Sequence, residues 1–151
     1  MKENDPICFV DTNILVYAFD RLEGQKHELA ARLLETLWKS RTGVLSTQVL
    51  QEFHVAITRQ KKRGISLKQS QEIINSFSYW PIYTPRANDI VQAIDLQERY
   101  QLSFWDSLIL QSAISSKCKK VYSEDLSHGQ VIEGVQIVNP FREDLTDDKT
   151  C

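Results

Sequence analysis

Long apolar runs are missing from this chain of 151 residues. The longest, Ile14 to Phe19, falls far short of the roughly 18 residues a membrane-spanning helix needs. The opening Met1-Lys2-Glu3-Asn4-Asp5 lacks the basic start of a secretory leader. These absences lead us to expect a cytoplasmic protein with no membrane association. Cysteine is scarce: Cys8, Cys118 and Cys151 are scattered, odd in number and never spaced C-x-x-C. That argues against a disulfide framework and against a zinc site. Cys8, inside an apolar run, reads as a small core residue. Basic charge is not in excess either, since the net charge is -2. A protein that holds nucleic acid by bulk electrostatics is usually basic, so any such contact here needs a local patch or cations that offset the acids. No internal repeat, low-complexity tract or interdomain linker is visible. What remains is 42% hydrophobic and 25% charged, an ordinary globular composition. We expect a single domain over residues 1–141 and a polar, acidic, frayed tail over 142–151.

Short apolar runs alternate with helical patterns. Ile7-Cys8-Phe9-Val10 reads as a strand covered on both faces. A helix signal follows through Ile14, Leu15 and Ala18, then an amphipathic helix with Leu29, Leu33 and Leu37 every fourth residue. Gly43-Val44-Leu45 is a second strand, and Ser46 or Thr47 can cap the helix carrying Val49, Phe53, Ala56 and Ile57. Ser66 begins another helix, and Ile82-Tyr83 is a weak third strand. Thr84-Pro85 offers an N-cap with proline at the first helical position. Ser103 caps a further helix, Val121-Tyr122 is strand four, and Val135 to Val138 is strand five. This order implies an α/β fold with a central parallel sheet, whose ligands bind outside the carboxyl ends of the strands.

Four acids belong to that edge. Asp11 follows strand one, and Asp125 lies just past strand four. Glu52 sits in the second turn of the helix after strand two, and Asp106 in the first turn of the helix before strand four. Carboxylates gathered there repel one another. Hard divalent ions, Mg2+ or Mn2+, relieve that repulsion through the oxygens and equip such a site for phosphodiester hydrolysis. Each acid also has a plainer reading. Asp11 can cap a helix, Asp106 fits a capping box with Ser103, Glu52 can face solvent, and Asp125 can be a turn residue. Strand alternation turns Ser123 and Asp125 to one side and Glu124 to the other, which makes Ser123 a supporting hydroxyl. Asn13, two residues from Asp11, can hold that carboxylate or a water.

The run Phe9-Val10-Asp11-Thr12-Asn13-Ile14-Leu15-Val16-Tyr17 resembles the opening of PIN domains, especially the VapC-type toxins of bacterial toxin–antitoxin pairs. Ser46 to Phe53, Leu102 to Ser107 and Tyr122 to Gly129 follow in the family's order, and Val138 to Phe141 is an ending of the family's type. The likeness spans about residues 7 to 141. It implies a three-layer α/β/α sandwich around a mainly parallel five-stranded sheet, and a metal-dependent endoribonuclease acting on RNA. It maps the family's acids onto Asp11, Glu52, Asp106 and Asp125 as catalytic and metal-holding residues. It also implies a homodimer and a cognate antitoxin that blocks the site. A non-catalytic RNA- or protein-binding module of the same fold is the alternative.

Other features carry less. Arg59-Gln60-Lys61-Lys62-Arg63 is either a solvated helix end or a phosphate contact. Of His27, His54 and His128, only His128 is expected near the acids. Trp38, Tyr79, Trp80 and Trp105 serve the core, an interface or base stacking. A dehalogenase-type phosphatase needs a second acid where Asn13 stands. A receiver domain needs an aspartate and a lysine where Tyr83-Thr84-Pro85 and Asn139-Pro140 stand.

Overall fold

A computed structural model describes residues 5–59 and 64–142. The wholly apolar β1 (Cys8–Val10) is buried on both faces and lies at the centre of the sheet. It leads into α1 (Thr12–Phe19) and, after a 3-10 turn at Arg21–Glu23, into α2 (Gln25–Ser40). Next come β2 (Gly43–Ser46), α3 (Thr47–Arg59), α4 (Leu67–Ser76) and β3 (Ile82–Tyr83). The chain finishes through α5 (Ala87–Tyr100), α6 (Phe104–Ser115), β4 (Lys120–Tyr122), β5 (Val131–Ile132) and β6 (Val135–Val138). The result is a three-layer α/β/α sandwich. α1 packs on α2 and α3, α4 rests on α3, and α5 covers α6. Helix α6 has no polar side, because the sheet and α5 enclose it from Ser107 to Ala113.

The strand order is β3-β2-β1-β4-β6-β5. Every pairing is parallel except β5 with β6. The expected five strands are therefore six. The extra one folds back across Glu133-Gly134, whose φ angles of 49° and 82° make the two-residue turn that suits a hairpin. A glutamate seldom fills the first of those positions, so the usual Asn-Gly or Asp-Gly signal was missing.

The chain leaves β1 toward β2 and β3, then returns to the other side of β1 with β4. The carboxyl ends of β1 and β4 thus flank the point where strand order reverses, the position at which open α/β sheets form a crevice. Backbone bonds hold this end together: Asp11 N–H donates to Tyr122 O (3.0 Å) and Ser123 N–H to Val138 O (3.0 Å).

Several sequence expectations change in detail. Ser46, not Thr47, caps α3, its hydroxyl accepting from Val49 N–H at 3.3 Å. Helix α5 starts after Arg86 rather than at Thr84-Pro85, because the Asp89 carboxylate reaches back to the Arg86 N–H (2.8 Å). Cys8 is a fully buried core residue, as its place in an apolar run implies. Cys118 is a free thiol that burial pushes up to about 12, which makes it inert. Trp38 and Trp80 pack with Phe77, which assigns them to packing rather than base stacking. Among the described residues no helix is long and apolar enough to cross a membrane. Of the basic cluster, Arg59 ends α3 and residues 60–63 lie outside the described residues, as does the tail from 143 onward.

Candidate active site

The crevice beyond β1 and β4 is a cleft of about 330 Å³. Asp11, Glu52, Asp106 and Asp125 all line it, together with Glu23, and among the described residues no lysine, arginine or histidine does. Each acid arrives from a different element, so the local reason for its position differs.

Asp11 directly follows β1, where it lines the cleft, and at the same time caps α1. Its Oδ1 accepts from Thr12 N–H (2.7 Å) and its Oδ2 from the Ser123 hydroxyl (2.7 Å). It is only 4% exposed. Burial is the main reason its carboxyl is pushed up to about 7, and the nearby Asp106 and Glu52 add to the rise. The Ser123 and Thr12 bonds pull the other way without cancelling it.

Glu52 occupies the edge of α3 where a solvent-facing residue was the default. Both oxygens are nonetheless held: Thr12 Oγ1 donates to Oε2 (3.1 Å) and Gln48 Nε2 to Oε1 (2.6 Å). Asp106 takes the third position of α6, where its N–H donates to Ser103 Oγ (3.1 Å). Its half-buried carboxylate lines the cleft and is raised by burial and by Asp125, against the Ser103 hydroxyl. Asp125 is exposed at the cleft rim and is fixed from two sides. Asn13 Nδ2 donates to its Oδ2 (2.9 Å), and its own N–H donates to Ser123 Oγ (3.2 Å).

The two residues expected to support these acids are placed differently from one another. Ser123, fully buried, links Asp11 to Asp125. Asn13 serves Asp125 rather than Asp11, because Asp11 is turned into the cap of α1 while Asn13 Oδ1 accepts from Glu124 N–H (3.2 Å). Glu124 points away and pairs with Lys26. His128 is absent from the cleft lining, and its Nδ1 accepts from Asn139 N–H (3.0 Å). Trp105 stands at the cleft 62% exposed, an aromatic face open to a ligand. Sequence reasoning missed Glu23, Tyr17 and Gln48. Only Gln48 had a signal, since it precedes Glu52 by four residues on one helix face.

Among the described residues, no three His, Cys, Asp or Glu side chains are spaced as a ready-made metal cage. Magnesium does not demand one, because it keeps several waters and binds through one or two carboxylates. The donor set suits such a hydrated ion: hard oxygens, no competing cation among the described lining residues, and a buried carboxylate whose hydrogen bonds only partly offset the cost of its burial.

A comparison with curated protein sequences gives no match. Among solved structures, the chain is similar to a toxin–antitoxin complex from Klebsiella pneumoniae, with 21% identity and a TM-score of 0.66 over 89% of this chain and 98% of that one. It is similar to the VapBC2 complex of Rickettsia felis bound to a promoter DNA fragment, with 22% identity and a TM-score of 0.62 over 87% and 96%. The sarcin–ricin-loop-cleaving toxin VapC20 of Mycobacterium tuberculosis gives 18% and 0.61 over 78% and 89%. At such identities the likeness speaks for the fold. The family model for the PIN domain matches residues 8–132, most of the chain and every acid of the cleft, and the chain accordingly belongs to the PIN domain family.

Proposed function

We propose that this protein is an endoribonuclease that hydrolyses RNA phosphodiester bonds with the help of Mg2+ or Mn2+, and that it is the toxin of a type II toxin–antitoxin pair. The observation that carries the reading is the set Asp11, Glu52, Asp106 and Asp125 lining one cleft at the sheet's switch point. A phosphodiester is anionic, and a bare cleft of carboxylates repels it. A divalent ion bound there would reverse the field and acidify water for hydrolysis. Asp11, Asp106 and Asp125 are the residues to hold it, with Glu52 completing the set or orienting a water. Ser123 and Asn13 keep Asp11 and Asp125 in place through the bonds described above. Trp105 offers a surface on which a base can stack.

The toxin assignment is supported by the toxin–antitoxin complexes among the structures of similar fold. It carries with it a cognate antitoxin, a homodimer and a cytoplasmic setting. Cleavage of structured RNA is to be measured with Mg2+, with Mn2+ and with excess EDTA. We expect cleavage with either ion and none with EDTA. Full activity in EDTA would exclude this chemistry, and RNA binding without cleavage in any ion would favour the non-catalytic module instead. Sedimentation of the protein alone, and with the product of any small reading frame encoded beside it, tests the two partners.

A further inference from the structure

The glutamine four residues before Glu52 has no part in the reading above. Gln48 is only 6% exposed, on the first turn of α3, and lines the cleft. Its Nε2 makes two bonds, to Glu52 Oε1 (2.6 Å) and to the backbone oxygen of Trp105 (3.3 Å). Its Oε1 is buried with no hydrogen-bond partner among the described residues. A buried acceptor left bare is unfavourable, so the amide orientation is set by its donor side. The flipped amide would bring an oxygen against a carboxylate and a carbonyl, both acceptors only. Trp105 precedes Asp106, so one side chain connects Glu52 on α3 to the backbone that carries Asp106 on α6.

We propose that Gln48 is a positioning residue that holds the Glu52 carboxylate and its spacing from Asp106 in the form that accepts a divalent ion. Thr12 holds the other oxygen of Glu52 (3.1 Å), so the carboxylate is clamped between two elements. Such a clamp reduces the ordering that ligand binding would otherwise require. Gln48 itself touches neither ion nor substrate in this role. The inference rests on the ribonuclease reading and adds a residue to it.

The test is a calorimetric titration of Mn2+ into wild type, Gln48→Met, Glu52→Gln and the double variant, with RNA cleavage measured alongside. Gln48→Met keeps the length and apolar stem but removes the donor. It is expected to weaken Mn2+ binding by roughly tenfold, the weight of one hydrogen bond to a charged group. In the Glu52→Gln background the same change should have almost no further effect, because the carboxylate it acts through is gone. If Gln48→Met does not fold, Gln48→Asn replaces it, keeping the amide on a stem too short to reach Glu52. Unchanged Mn2+ affinity in the single variant overturns the proposal, even if the ion-free protein melts lower, since a mere packing role gives that pattern. An equal loss in the Glu52→Gln background also overturns it. A wild type that neither binds Mn2+ nor cleaves RNA overturns the ribonuclease reading and this inference with it, whereas a cleaving wild type with an indifferent Gln48 removes the inference alone.

Discussion

Asp11 concentrates the electrostatic tension of the cleft, because it is the most buried of the acids lining it. Two predictions belong to this residue. Asp11→Asn keeps the shape and removes the charge, so it should reduce RNA cleavage by more than roughly a hundredfold, beyond what losing an outer partner of a metal ligand costs. Its ion-free stability should hold or rise, as like charge is relieved. Cleavage rate and melting temperature of the same preparation check both halves. The second prediction concerns pH. The carboxyl titrates at about 7 when folded, against 3.8 for a free side chain. Between those values the folded chain keeps a proton that the unfolded chain has released. Stability in EDTA should therefore fall as pH rises through that window, by at most about 1.4 kcal/mol per unit, and level off above it. Asp106, also raised by burial, acts in the same direction. Thermal melts from pH 4 to 8 should show the slope in the wild type and a clearly shallower one in Asp11→Asn.

At the scale of elements, the cleft depends on how β2 and its neighbours are seated. Gly43 starts β2 directly beneath Trp80, and a Cβ there would lie 2.3 Å from the indole ring. Trp80 cannot move aside easily, since Trp38 and Phe77 pack against it. Gly43→Ala should thus destabilise the fold by about 1–3 kcal/mol, the usual penalty of overpacking. Denaturant unfolding measures it, and a neutral result would mean the indole has room to shift. Much of this scale was legible beforehand. The capping signals at Ser66 and Ser103 and the apolar stripes of α2 and α3 rest on neighbours within a few residues. Two features were not legible for the opposite reason. β5 exists only because β6 offers it an edge. The start of α5 is set by Asp89, whose carboxylate also accepts from Tyr83 and Ser115, residues brought to it by the fold.

For the whole molecule, ion binding and folding should be coupled. A ligand that binds only the folded state stabilises it by about 2.7 kcal/mol at a hundredfold excess over Kd. In a domain of this size each kcal/mol is worth roughly 2–4 °C. Saturating Mg2+ or Mn2+ should then raise the melting temperature by roughly 5–10 °C, and Asp11→Asn should lose most of that rise. Differential scanning fluorimetry with and without the ion decides it, and an equal shift in both proteins would place the ion elsewhere.

The local pattern of residues was sufficient to determine the alternation of strands and helices, the parallel sheet, and the four acids beside the strand ends. Each of those follows from side-chain period and from position relative to a strand terminus, both properties of neighbours along the chain. Only the tertiary structure decided which partner each acid keeps. Asn13 holds Asp125 across 112 positions, Thr12 holds Glu52 across 40, and Ser123 joins Asp11 to Asp125. It also decided that Glu23 and Tyr17 border the cleft while His128 does not. Hydrogen bonds act over about 3 Å, and no spacing in the sequence reveals which distant groups the sheet will bring that close.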